Sequence, residues 1–235
     1  MTPFRLDGKR VLITGAGGGI GKATARMAAG VGASLVLTDI EAPVELAAEL
    51  GGTAHACDVT DMGAVAGLAA TIGSIDRLVC AAGIQPNDPW PGEEWKANWD
   101  RVLDINSKGA VNVADAFFPV IQQSAGRIVF VGSQAPFVGG PFSPPHYVVS
   151  KGGLHAYCRW LARRAAPLGV TVNCVAPGPV STPMIDGQSV DAAKMPMGRI
   201  CTPEEVAGPI VFLLSPAAGY VNGVILDVNG AISFN

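Results

Sequence analysis

Six short, continuously apolar runs punctuate the chain: Arg10 to Thr14, Ser34 to Thr38, Arg77 to Ala81, Arg127 to Gly132, Val170 to Val175 and Val224 to Val228. They do not alternate in polarity, so a strand built from any of them needs apolar cover on both faces, as in a parallel sheet. Helical periodicity fills the intervals, at Ile20 to Val31, Val44 to Leu50, Asp61 to Thr71, Trp95 to Ile121, Tyr147 to Leu168 and Pro203 to Leu214. This β-α alternation runs from end to end without a repeat, linker or composition break. It predicts one α/β domain over residues 1–235, a doubly wound, three-layer fold with a parallel sheet between two layers of helices.

Composition narrows the function classes. The chain is 49% hydrophobic and 15% charged, with a formal charge of -3. No block of like charge marks a nucleic-acid or membrane surface, so neither is an expected partner. The N-terminus, MTPFRLDGKR, is too polar for a secretory signal, and no stretch reaches the length of a membrane span. Five scattered cysteines, Cys57, Cys80, Cys158, Cys174 and Cys201, form no CxxC or Cys/His cluster. They read as reduced thiols in a cytoplasmic protein without a metal site.

In an open α/β sheet, ligands bind outside the carboxyl ends of the strands. The first such loop, Thr14-Gly15-Ala16-Gly17-Gly18-Gly19-Ile20-Gly21, links the first strand to the first helix. Its glycines permit a tight turn and close approach to a pyrophosphate, which the helix N-terminus favours. The spacing of Gly15, Gly19 and Gly21 is TGxxxGxG rather than GxGxxG; alone it is also compatible with an ordinary glycine-rich turn. Asp39 ends the second strand, where a carboxylate can accept from both adenosine ribose hydroxyls and repel a 2′-phosphate, favouring NAD over NADP. The bland alternative is an exposed strand-end Asp. Asp58 and Val59 follow the third strand and are placed to meet an adenine edge and face, or simply to enter a helix capped by Thr60 or Asp61.

Tyr147 and Lys151 are four residues apart at a helix start and share one face. Ser133 ends the fifth strand and Asn106 lies within the preceding long helix. Here the sequence resembles the single-domain short-chain dehydrogenase/reductase family along essentially its whole length. The resemblance is carried by the TGxxxGIG loop at Thr14 to Gly21, Asp39, Asp58, Ala82-Gly83, Asn106, Ser133, the Tyr147-x-x-Ser150-Lys151 run, Pro177-Gly178 and Thr182.

The resemblance implies a Rossmann fold with a seven-stranded parallel sheet and an NAD-dependent oxidoreductase interconverting a secondary alcohol and a ketone. Tyr147 would be the acid/base, Lys151 would lower its pKa and hold the nicotinamide ribose, and Ser133 would fix the substrate oxygen. Asn106 would bind a water linking Lys151 to solvent. A phenol of ordinary pKa about 10 needs roughly 4 kcal/mol of preferential phenolate stabilisation to act as a base near neutrality. The cofactor set implied is Gly15, Gly18, Gly19, Ile20, Gly21, Asp39, Asp58, Val59, Ala82, Gly83, Tyr147, Lys151, Pro177, Gly178, Val180 and Thr182, the last two at the nicotinamide carboxamide. One departure stands out: the family's Asn-Asn-Ala-Gly after the fourth strand is Cys80-Ala81-Ala82-Gly83, which bears on local stability more than on chemistry.

Substrate choice falls to Ile84 to Trp95, Gln134 to His146 and a short lid at about 183–198. Ser133, Gln134, Tyr147, His146, Gln85 and Met184 are the expected substrate contacts, His146 at the pocket rim, with Phe137, Phe142 and Trp90 as further apolar walls. A hydroxylated ring or small ketone suits this set. Trp95 and Trp99 read as a packing pair, and His55 and His155 as structural. The long helices carrying Asn106 and Tyr147 resemble those of the family's dimer and tetramer interfaces, so a homotetramer or homodimer is expected. Two other functions fit: a 3-oxoacyl-thioester (acyl carrier protein) reductase docking through Arg159, Arg163 and Arg164, and a non-catalytic dinucleotide-binding regulator. The complete Asn106, Ser133, Tyr147 and Lys151 set disfavours the regulator.

Overall fold

A computed structural model describes residues 2–88, 91–140, 143–186 and 190–234. Seven strands, β1 (Arg10–Thr14), β2 (Ser34–Asp39), β3 (Thr53–Ala56), β4 (Arg77–Cys80), β5 (Arg127–Val131), β6 (Thr171–Pro177) and β7 (Ile225–Val228), form one sheet in the order β3-β2-β1-β4-β5-β6-β7. Every pairing is parallel. The chain winds outward to β3, then returns to place β4 beside β1, so the strand order reverses between those two. Thr14 is in register with Cys80 at that point.

The apolar runs work because successive residues serve opposite faces. Val11 and Ile13 of β1 enter one core and Leu12 the other; Val79 and Leu78 divide likewise on β4, as do Val129 and Ile128 on β5. One core is covered by α1 (Gly19–Gly30), α2 (Val44–Leu50) and α9 (Pro203–Leu214), the other by α3 (Met62–Ile72), α6 (Ala110–Ile121) and α8 (Pro145–Ala165). β3 had no apolar run to mark it: it is the edge strand, Thr-Ala-His-Ala, and no residue in it is fully buried.

The single helix expected over Trp95 to Ile121 is instead four pieces: α4 (Glu94–Ala97), α5 (Trp99–Leu103), a π-helical turn at Asp104–Gly109, and α6. A π turn accommodates an extra residue and is common at functional sites. Gly109 closes it against the turn that follows β3, since a Cβ there would lie 2.5 Å from Cγ2 of Val59. A further short helix, α7 (Ala135–Val138), follows β5. α8 starts two residues before Tyr147, with Pro145 at its first position after an extended Pro144. Its last turn gives way to a 3₁₀ segment, Ala166–Leu168, and a left-handed Gly169. α9 opens on a reciprocal cap between Thr202 and Glu205, with Arg199 paired to the Glu205 carboxylate.

The amino-terminal edge of the sheet is fastened by three arginines, each the first residue of its strand. Arg10 donates to the carbonyls of Ile72 (2.7 Å) and Ser74 (2.9 Å), Arg77 to Leu214 (2.8 Å) and Arg127 to Ala218 (3.3 Å). Leu214 ends α9 and Ile72 ends α3, so these guanidiniums satisfy carbonyls that helix geometry leaves open. Burial and the neighbouring Arg127 push Arg77 down to about 10. Among the described residues no helix is long and apolar enough to cross a membrane.

Candidate active site

The opposite, carboxyl-terminal edge holds a cavity of about 1550 Å³ that runs across the β1/β4 reversal. Of the described residues expected to touch cofactor or substrate, all but His146 and Phe137 line it; Phe137, expected as an apolar wall, turns instead to stack on the ring of His155. Trp90 and Phe142 lie outside the described residues, as does part of the expected lid; its described portions include two 3₁₀ turns, Pro183–Ile185 and Ala192–Lys194.

At one end the glycine loop is shaped by steric necessity. Gly15 has φ +68°, and a Cβ on it would fall 2.6 Å from the Ala82 nitrogen. Gly21 packs against the Gly15 carbonyl with no room for a side chain. Gly19 faces Thr182, whose Cγ2 a Cβ would meet at 2.5 Å, so loop and β6 extension close on each other only because that Cβ is missing. No side chain caps α1 and no acidic residue stands in its first turn, which leaves amide donors and the positive helix end facing the cavity. This donor-lined, side-chain-free cradle fits a dinucleotide pyrophosphate. Asp39 borders the same loop, one oxygen accepting from the Gly17 amide (2.8 Å) and the other from the Ile40 amide (2.7 Å). Asp58 accepts from the Thr60 amide and hydroxyl (both 2.8 Å) in a local turn, and the cap of α3 is Asp61. Val59 is held at its carbonyl by the Asn112 amide (2.9 Å).

At the other end Tyr147 and Lys151 project from α8 into the cavity beside Ser133, at the end of β5. All three are buried. Burial pushes the Tyr147 phenol up, and a hydrogen bond with Ser133 works in the opposite direction. The Lys151 ammonium donates to the Val131 carbonyl (2.8 Å) and sits 5.8 Å from the centre of the Tyr147 ring. Burial lowers it to about 8. Gly83 makes room for it: a Cβ there would be 3.3 Å from Nζ and 3.2 Å from Oδ1 of Asn106.

Asn106 occupies the π turn and is fully buried. Its Oδ1 accepts from the Ile84 amide (2.8 Å), while Nδ2 donates to the Ile84 carbonyl (2.9 Å) and Ser150 Oγ (3.1 Å). The side chain thus braces the β4 exit loop against α8. Both ends of the side chain thus meet protein groups.

His146 is not at the pocket rim. It is fully buried and its Nε2 lies 2.9 Å from Oδ2 of Asp88. The physical reason is helical phase: a residue adjacent to Tyr147 points about 100° away, here into the loop that follows β4. His155 is structural in a more specific sense than expected. Its Nε2 accepts from the Ser133 amide (3.4 Å), its ring stacks on Phe137 (centroids 5.0 Å apart), and burial lowers its pKa to about 4. It follows Lys151 by four residues, a spacing that places it one turn below the reactive pair. Trp95 and Trp99 meet edge to face at 5.9 Å. Cys80 is buried, and desolvation pushes its thiol far above the usual range.

Comparison with known proteins identifies the family and the fold. A family model described as enoyl-(acyl carrier protein) reductase matches residues 15–233. Galactitol 2-dehydrogenase (L-tagatose-forming) of Cereibacter sphaeroides is 39% identical over 97% of this chain and 96% of its own. Cis-4-hydroxycyclohexanecarboxylate dehydrogenase of Sinomonas cyclohexanicum is 40% identical over 93% and 94%. Among solved structures, a 3-oxoacyl-[acyl-carrier protein] reductase with bound NAD from Brucella melitensis superposes with a TM-score of 0.89 at 30% identity, covering 99% of this chain and 95% of that one. The chain belongs to the short-chain dehydrogenase/reductase family. It is an oxidoreductase of the kind that interconverts secondary alcohols and ketones.

Proposed function

We propose that the protein is an NAD-dependent dehydrogenase, or ketone reductase in the reverse sense, acting on a small secondary alcohol with Tyr147 as acid/base. The observation that carries this reading is that one cavity joins the glycine cradle and Asp39 at one end to Ser133, Tyr147 and Lys151 at the other. When bound, the nicotinamide supplies the redox chemistry by accepting a hydride from the carbinol carbon.

The chain's own groups account for the rest. Gly15 to Gly21 would seat the pyrophosphate, Asp39 the adenosine ribose, Asp58 and Val59 the adenine, and Val180 and Thr182 the carboxamide. Ser133 orients the substrate oxygen, fixed by the Ala135 amide on its Oγ (3.1 Å) and by His155 on its backbone. Tyr147 takes the alcohol proton. Its phenol is raised by burial in the protein alone, so the cation of Lys151 and the charge brought by the oxidised cofactor must together favour the phenolate. Asn106 holds the Ile84 loop and Ser150, and so the approach to Lys151.

Asp39 favours NAD because a 2′-phosphate would face a carboxylate already held against the loop. Half-exposed Val149, Trp160 and Leu168 on and just after α8 support self-association through that helix, and the five free thiols suit a reducing cytoplasm. Purified protein incubated with NAD and a panel of secondary alcohols should generate reduced nicotinamide, and Tyr147→Phe should abolish it by at least about a hundredfold while retaining dinucleotide binding. Tight binding with no turnover on any alcohol or acyl thioester would defeat the reading.

A further inference from the structure

We infer that Ser150 is a positioning residue for the proton transfer, gripped by the π turn at two points so that Tyr147 and Lys151 keep one register against β5. The inference rests on the proposed acid/base role of Tyr147. Ser150 directly precedes Lys151, is 1% exposed and does not line the cavity. Any effect it has on the reaction therefore passes through its neighbours.

Its hydroxyl is used twice. Oγ donates to the Tyr147 carbonyl (2.8 Å) and accepts from Nδ2 of Asn106 (3.1 Å). The Ser150 carbonyl accepts in turn from Oγ of Ser107 (2.8 Å). Two adjacent residues of the π turn thus hold the side chain and the backbone of one α8 residue, and that residue lies between the reactive pair in sequence. A hydroxyl both donates and accepts, which alanine cannot do. Alanine at this position would leave a buried amide hydrogen of Asn106 unpaired, a larger penalty than the bond itself is worth.

The grip extends to the sheet. Asn106 also exchanges hydrogen bonds with the amide and carbonyl of Ile84 (2.8 and 2.9 Å), so Ser150 is tied through it to the β4 exit loop. On the other side, the Lys151 ammonium reaches the Val131 carbonyl of β5 (2.8 Å). A slip of α8 along the π turn would therefore move Nζ relative to Val131 and the phenol relative to Ser133 together.

The register matters for an electrostatic reason. The Lys151 cation favours the Tyr147 phenolate by an attraction that weakens with separation and is strongest where water is excluded. Burial opposes the phenolate, so lost alignment appears as a higher pKa for the pair. The other titratable groups that face Lys151 are Cys174 of β6 and His155, one turn further along α8. Burial drives Cys174 up to about 12 and His155 down to about 4. Both are neutral from about pH 6 to 10, so the activity profile in that range reports Tyr147 and Lys151 as a coupled pair.

The test is the pH dependence of kcat/KM for a secondary alcohol at saturating NAD, in wild type and Ser150→Ala. The rising limb should move up by about half a unit or more in the variant, with a loss of about threefold to tenfold near pH 7. That loss should shrink to within about twofold near pH 10, where the phenol is ionised in both proteins. Ser107→Ala, which removes only the grip on the backbone, should move the limb in the same direction by less, and it provides the same test if Ser150→Ala does not fold. Ultraviolet difference titration of the NAD-loaded proteins, with that of Tyr147→Phe subtracted, reads the phenol without turnover and should show the same displacement. A loss equal at every pH, or a lowered melting temperature with the limb unmoved, would make Ser150 a packing residue and overturn the inference while leaving the dehydrogenase reading standing. Absence of wild-type turnover on every alcohol would instead remove the dehydrogenase reading, and this inference with it.

Discussion

Nε2 of His146 and Oδ2 of Asp88 are 2.9 Å apart inside the protein, and the Asn98 amide donates to the same carboxylate (3.0 Å). Three segments meet there: the loop after β4, the start of α5 and the residue before Tyr147. The pair works as a latch that fixes the loop after β4 to α8. Removing one partner of a buried hydrogen bond to a carboxylate leaves the other unsatisfied, so His146→Leu should cost about 1–3 kcal/mol in denaturant unfolding. Asp88→Asn, whose amide oxygen can still accept from Nε2, should cost less than half of that. A positioning role further requires His146→Leu to raise KM more than it lowers kcat; an unchanged KM would reduce the latch to packing.

Lys151 should be retained at the expense of stability. Burial lowers its pKa from 10.5 to about 8, so from pH 8 to 10.5 the unfolded chain holds more protons than the folded one. Wild-type stability against unfolding therefore rises with pH across that window. Lys151→Met should be inactive yet more stable than wild type near pH 7, by about 1–3 kcal/mol. The difference should shrink as pH approaches 10.5, and a destabilised variant at pH 7 would contradict the account.

His155 works in the opposite pH range. Its pKa falls from 6.5 to about 4 through burial, with Lys151 and Arg159 adding repulsion. Below pH 6.5 the unfolded chain takes up a proton that the folded one refuses, so stability is lost progressively down to about pH 4. This one group accounts for about 3 kcal/mol of acid sensitivity, and His155→Phe should flatten the stability profile there. Nitrogen-15 spectra at pH 6 should show a neutral ring protonated on Nδ1, because Nε2 accepts from Ser133.

On the proposed reading, Asp39, held by the amides of Gly17 and Ile40, sets cofactor choice. Asp39→Ser should move the NADP/NAD ratio of dissociation constants toward NADP by at least about tenfold, read by calorimetry. Loss of the Gly17 contact should also weaken NAD itself. An unchanged ratio would transfer discrimination to another part of the adenosine pocket.

The sheet was legible wherever strands are buried on both faces, because an apolar run then has to be continuous; β1 was read with its observed bounds. β3 escaped since an edge strand needs no such run. The π turn escaped for a different reason: Asp104 to Gly109 keeps helical periodicity on either side, and one extra residue in a turn leaves no mark on composition. At the site, residues tied to a turn or strand end could be placed from order alone. His146 could not, because its partner Asp88 is distant in sequence and only the fold shows which way the loop packs. Lys151 and His155 shared a helix face at a legible spacing, but the Ser133 amide that gives His155 its role carries no sequence signal. The grip of the π turn on Ser150 is visible only once its neighbours are in place.

The arginines that begin β1, β4 and β5 lie at the edge of the sheet remote from the cavity, bound to carbonyls that end helices and turns. Robustness and selectivity are consequently written on opposite rims of the same sheet. Substitutions distributed between the rims share no contacts and should combine additively, so the amino-terminal rim can be reinforced to tolerate destabilising changes in Ile84 to Asp88 or Gln134 to Gly140. That separation gives the chain room to acquire new substrates without first losing its fold.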